Sequence, residues 1–162
     1  MSQTPTPMET SMGYSPPVVT QLSVFLTNKV GKLFDLVEAF DVSPTNICAL
    51  SVHEASDHAV VRLITSNVAD ARRILKASGM AFNEKDVLVV EMSKDRSLAN
   101  MAMNLLRAEL SIHFAYPLML SAGRAPAMAL AVDDITLAGQ ILLRKEFTLL
   151  GEADLSSPGG DS

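Results

Sequence analysis

The residues of this chain best suited to chemistry lie in one short stretch, Asn28-Lys29-Val30-Gly31-Lys32-Leu33. The Asn28 amide can both donate and accept a hydrogen bond. Gly31 has no Cβ, so the backbone there can take positive φ or approach a guest closely. Amides that open a helix lack intrahelical partners, and a helix starting after Gly31 would aim them at an anion or a carboxylate. The chemistry on offer is the holding of a small carboxylate, with no bond made or broken.

Other reactive residue types are scattered. His53, His58 and His113 have no carboxylate or Cys at metal-ligand spacing and read as surface or sheet-face residues. Ser51, Ser97 and Ser111 lack a nucleophile-elbow context, and no triad can be assembled from them. Asp133-Asp134 reads as a helix cap, and the nine Met as core filling. Cys48 is the only cysteine; within Ile47-Cys48-Ala49-Leu50 it reads as a small buried hydrophobe and excludes an intramolecular disulfide. No catalytic residue, metal or cofactor is expected.

The Asn28–Leu33 stretch sits between two elements that would hold it. Leu22, Val24 and Leu26 alternate with Gln21, Ser23 and Phe25, the period of a strand. Leu33, Leu36, Val37 and Phe40 follow at i, i+3, i+4 and i+7, the spacing of a helix. Asn46 then leads into a strand over 47–52, and a polar turn at 55–58 returns the chain as a strand over 59–65. Asn67 caps a helix whose apolar face is Val68, Ala71, Ile74 and Leu75, and Gly79 ends it. A short strand over 80–83 closes a βαββαβ unit.

The pattern then repeats. A β-rich run over 87–92 precedes a helix carrying Leu98, Met101, Leu105 and Leu106. Strands over 110–116 and 128–132 follow, then a helix holding Ala138, Ile141 and Leu142, and a last strand over 147–150. Leu33 and Leu98, and likewise Asn46 and Ser111, stand 65 residues apart. Ala71 and Ala138, and Ile74 and Ile141, stand 67 apart; the two extra residues fall around Ser121-Ala122-Gly123-Arg124. This is a duplication. The fold class expected is α+β, two tandem ferredoxin-like βαββαβ repeats packed side by side with antiparallel sheets. The boundaries expected are a tail at 1–18, repeats at 19–85 and 86–151, and a second tail at 152–162.

Composition removes whole classes of function. The 162 residues are 48% apolar and 19% charged, enough to bury a core, with a net charge of −5. That charge, two Tyr, six Phe and no Trp argue against a nucleic-acid partner. No apolar run reaches the ~18 residues of a membrane helix. No signal peptide is legible, and a reducing, cytoplasmic setting is expected.

The motifs Asn28-Lys29-Val30-Gly31-Lys32-Leu33, Thr45-Asn46-Ile47 and Ala49-Leu50-Ser51, with their spacing, resemble the ACT family of amino-acid-binding regulatory domains. The resemblance covers about residues 19 to 151 and is strongest to stand-alone tandem ACT proteins. It implies that Asn28, Lys29, Val30, Gly31, Lys32, Leu33 and Asn46 bind an amino acid. Val30 stands where the family usually has Pro, which loosens the turn; Leu26 stands where serine-binding members often have His, and with its apolar surroundings this implies a hydrophobic or aromatic effector. In the second repeat the loop is a residue shorter, has no glycine, and has Ser111 in place of the Asn. Asp95, Arg96, Ser97, Leu98 and Ser111 are therefore the weaker candidates. The function implied is a non-catalytic amino-acid sensor that forms a homodimer. The alternative is a ligand-free dimerisation or docking module for an enzyme of amino-acid metabolism. An acylphosphatase-type enzyme on the same fold ranks last, because the required Arg and Asn set is not evident.

Overall fold

The computed structural model describes residues 15–27 and 30–156. The first unit runs β1 (Val19–Thr27), α1 (Lys32–Asp41), β2 (Ile47–Glu54), β3 (His58–Thr65) and α2 (Val68–Ala77), and then enters β4 (Ala81–Glu91). The second continues from β4 through α3 (Leu98–Arg107), β5 (Ile112–Pro117), β6 (Ala127–Val132), α4 (Ile135–Arg144) and β7 (Leu149–Leu150). A short helix, α5 (Glu152–Leu155), ends the described chain. Two ferredoxin-like repeats are therefore present.

The strands expected at 80–83 and 87–92 are one continuous strand, β4. The polar run Asn83-Glu84-Lys85-Asp86 looks like a turn in sequence, but it pairs in register with β1, Ser23 opposite Asn83 and Gln21 opposite Lys85. Its first part, Ala81–Val87, pairs with β1, and its last part, Leu88–Glu91, pairs with β6. β7 pairs with β4 at Val89 and Val90. Among the described residues this makes a seven-stranded antiparallel sheet in the order β2-β3-β1-β4-β6-β5, with β7 beside β4.

Alternation along the strands sorts side chains onto the two faces. Leu22, Val24, Leu26, Val61 and Leu63 meet Leu36, Phe40, Ala71 and Leu75 of α1 and α2. Leu88, Val90 and Leu130 meet Met101 and Leu105 of α3 and Ala138 and Leu142 of α4. The helix-free faces form a third core: Val19, Ala49 and Ile64 of the first unit lie against Ala129, Ala131, Tyr116 and Leu118 of the second. The sheet therefore curls, with all four long helices outside and its bare face turned inward. Ala127, Ala129 and Ala131, all fully or nearly fully buried, let the two halves approach closely.

The helical stripes are narrower than the periodicity suggests. In α1, Leu36 and Phe40 are buried, while Leu33 and Val37 remain more than a third exposed. Their counterparts Met101 and Leu105 are the buried pair of α3, with Leu98 and Leu106 exposed.

Both flanks reach into stretches expected to be tail. Pro16 is buried, and its ring lies where a Cβ on Gly139 of α4 would have to go. Leu155 is buried, and the carboxylate of Glu152 accepts the Val68 backbone N–H at 2.7 Å, serving the first turn of α2.

Candidate functional site

The β1–α1 loop is the first expected site. Asn28 and Lys29 lie outside the described residues. Val30 is fully exposed, and Gly31 has φ +89°, the left-handed region that a side chain would strain. Gly31 occupies the N-cap of α1, and no side chain among the described residues caps that end. The other three long helices are capped: Asn67 accepts from Asp70 N–H, Ser97 from Asn100 N–H and Asp134 from Leu137 N–H. Lys32 and Leu33 open the helix, and the leading amides of α1 receive no capping oxygen among the described residues.

The second repeat fills the equivalent place with its own atoms. Ser97 and Asn100 form a capping box, satisfying the first turn of α3. Arg96 donates to the Glu146 carboxylate at 2.9 Å and to the Glu146 carbonyl at 3.2 Å, tying the loop to the α4–β7 turn. The Asp95 carbonyl accepts from Arg96 at 3.4 Å, and Leu98 stays exposed. These four residues have structural partners or face solvent.

Asn46 and Ser111 occupy matching corners. Asn46 N–H donates to the Ser66 hydroxyl at 3.0 Å, and the Asn46 carbonyl accepts from Ser66 N–H. Ser111 N–H donates to the Asp133 carboxylate at 3.1 Å, and its carbonyl accepts from Asp133 N–H. Asn46 is exposed, but it lies beyond the far end of α1 from Gly31. The intervening ten-residue helix is about 15 Å long. Within one chain the structure therefore does not bring Asn46 to the β1–α1 loop.

Asn46 instead lines a cavity of about 440 Å³ at the seam between the halves. α1 contributes Val37, Phe40 and Asp41, and the start of β2 contributes Asn46, Ile47 and Cys48. The β5–β6 loop supplies Met119, Leu120 and Ser121, and Leu155 of α5 completes the wall. Here the two edge strands of the curled sheet meet, where Met119 N–H donates to the Cys48 carbonyl at 2.6 Å. The register of β2 against β3 shifts between Ile47 and Ala49, which turns buried Cys48 toward the inner core. Burial pushes the Cys48 thiol up, opposed by the positive charge of Arg124. Buried Thr45, also in the cavity wall, donates to Asp70 at 3.1 Å.

Asp41, Met119, Leu120, Ser121 and Leu155 are not among the residues expected from sequence. The one available signal was the two-residue excess in the second repeat, which marks the β5–β6 loop as different from its counterpart. Among the described residues no group of three or more His, Cys, Asp or Glu could hold a metal. No helix among them is long and apolar enough to cross a membrane.

A family model described as an ACT domain pair matches residues 17–157. No curated protein matches the sequence. Among solved structures, a protein from Bacteroides thetaiotaomicron is 26% identical with a TM-score of 0.76, over 88% of this chain and 98% of that one. The ligand-free regulatory subunit of aspartate kinase from Thermus thermophilus is 11% identical with a TM-score of 0.54, over 78% and 89% of the two chains. That second likeness is one of fold.

Proposed function

This chain belongs to the ACT-domain family, and we propose that it is a non-catalytic regulatory protein whose β1–α1 loop, Asn28 to Leu33, binds an amino acid. The observation that carries this reading is the uncapped start of α1. Gly31 turns the backbone there without supplying a side-chain acceptor, whereas Ser97 closes the matching place in the second repeat. A ligand carboxylate would supply the missing acceptor, and the Asn28 amide would serve the ammonium. One loop site per chain follows, with the second loop as scaffold. The exposed apolar side chains nearby favour a hydrophobic or aromatic amino acid.

Isothermal titration of the full chain against the twenty L-amino acids tests this. Binding of at least one, weakened by Asn28→Ala, is the expected result; folded protein giving no heat with any of them would sink the reading.

A second reading, an assembly module, is favoured by the exposure of Val30 and of Phe34, which is 64% exposed on α1. In that case the chain forms a homodimer, or docks on an enzyme, without a ligand. Light scattering separates the two. Under this reading Phe34→Glu breaks the assembly and amino acids have no effect on it.

A further inference from the structure

We propose that the open part of the helix-free sheet face of the first repeat binds a nucleoside monophosphate, Arg62 holding the phosphate and Phe25 the base. The second repeat covers only part of this face. Val19 and Gln21 at the start of β1 are buried beneath it, Ser23 is half-buried, and Phe25 is 38% exposed. A shelf is left beyond the overlap.

Charge is segregated across the sheet here. The ionisable residues that alternation and register place on the shelf side are Lys85, Arg62, His53 and His58. Glu54, Glu84 and Asp86 of the same strands fall on the helix side, so the shelf side carries no carboxylate among the described strand residues. His58, at its edge, is tied to Asp57 of the β2–β3 turn at 2.7 Å. In a chain of net charge −5, a face this cationic suits an anion. The same face of a second copy stacked upon it would set cations against cations.

Arg62 is the centre of the shelf. Its guanidinium lies over the Phe114 ring, 3.9 Å from the centroid, and has no hydrogen bond or ion pair among the described residues. Arg72, Arg73 and Arg96, by contrast, each hold a carboxylate. The Phe114 ring fixes the plane of the Arg62 guanidinium and leaves its N–H edge for a guest. Ser23 and Ser51 stand directly opposite Arg62 on the two neighbouring strands, about 4.8 Å away on either side. The Ser23 hydroxyl accepts from the Gln21 amide at 3.1 Å, which leaves its own proton to donate outward. One guanidinium fork fills both oxygens of a carboxylate, whereas a phosphate has a third oxygen for the hydroxyls. The set therefore selects phosphate.

The next row along the strands is an apolar platform, Phe25 with Val60 on one side and Ala81 on the other. Phe25 is a diagonal neighbour of Arg62, about 7–8 Å away, a gap that a ribose can bridge. A base stacks on an aromatic ring whatever its identity. Asn83, opposite Ser23, offers both a donor and an acceptor to the sugar or the base edge. The net charge of −5 favours one phosphate over a strand of them.

This shelf is independent of the β1–α1 loop. The experiment is calorimetric titration of the full chain with AMP, GMP, CMP and UMP at low salt, with adenosine and an oligouridylate as comparisons. At least one nucleotide should bind, and removing the phosphate should weaken binding at least about tenfold. Arg62→Lys keeps the charge but loses the fork, and should weaken binding about tenfold. Phe25→Ala, at an exposed position, should do the same by removing the stacking platform. Ser51→Ala tests the phosphate contact without touching the core, and Asn28→Ala should change nothing. The ring-proton NMR signals of His53 should move on binding.

Folded chain that binds none of the four nucleotides overturns the proposal. Binding undiminished in both Phe25→Ala and Ser51→Ala overturns it as well, as does adenosine binding as tightly as AMP. An oligouridylate that binds more tightly than UMP makes the occupant a strand and overturns the mononucleotide. None of these outcomes touches the loop reading, because no amino acid is present in the titrations.

Discussion

The Tyr116 hydroxyl donates a hydrogen bond to the Gln21 side-chain carbonyl at 2.6 Å, joining β5 of one repeat to β1 of the other inside the shared core. Both residues are buried, and Gln21 also donates to the Ser23 hydroxyl at 3.1 Å. The guanidinium of Arg62 lies 3.9 Å from the centre of the Phe114 ring, which stacks near Tyr116. These polar contacts within an otherwise apolar interface fix how one half sits on the other.

Tyr116→Phe should destabilise the fold by about 1–3 kcal/mol, because it leaves the buried Gln21 carbonyl without its donor. Adding Gln21→Leu removes the orphaned acceptor, so the double variant should recover most of the loss. Urea denaturation of the single and double variants measures this. Additive losses would show that the two residues do not act as a pair.

Tyr116 also predicts a pH dependence. Burial pushes its phenol well above the ordinary tyrosine value, opposed by the charge of Arg62. The unfolded chain releases this proton near pH ~10, while the folded chain keeps it. The contribution is therefore fully present below about pH 10 and is lost above it, at up to about 1.4 kcal/mol per pH unit. The measurement is the difference in alkaline slope between the natural chain and Tyr116→Phe. The variant should show the shallower slope.

Ala129 tests the packing of the two halves. Its side chain is fully buried on the inner face, and leucine there should overpack the interface by about 1–3 kcal/mol. Ala81 of β4 alternates with Val87 and Val89 onto the same inner face of the sheet but is exposed. Ala81→Leu should shift stability by less than about 0.5 kcal/mol. Thermal unfolding of the two variants side by side decides whether the overlap ends where the structure ends it.

Glu152 caps α2 from the far end of the chain. Glu152→Ala should cost about 1 kcal/mol, seen as a fall of about 2–4 °C in Tm, while Glu152→Gln keeps an acceptor and most of the stability. Equal loss in both variants would mean that charge, and not the hydrogen bond, is what matters.

Periodicity revealed those parts of the fold in which one residue type recurs along one face. The repeat offsets, the helices, and Asn67 and Asp134 as caps are all of this kind. The curled packing left no such trace. It rests on alanines too small to signal burial, and on Gln21 and Tyr116, whose pairing depends on two strands 95 residues apart. The continuity of β4 was hidden because Asn83 to Asp86 are polar residues exposed on a strand, and polar runs usually mark turns. Of the site residues, Gly31 and Asn46 were visible as types. Their separation by the length of α1 was not, because sequence spacing gives no direction in space.

β4 acts as an axle shared by the two halves of the molecule. Repeats joined by a flexible tether can swing apart and exchange partners, but here a single stiff backbone is built into the hydrogen-bonded lattice of both. From Ala81 to Glu91 the strand is unbroken, with no loop between the two halves. The pairing passes from β1 to β6 between Val87 and Leu88 with no break in the strand, so the junction between the halves is itself a piece of sheet.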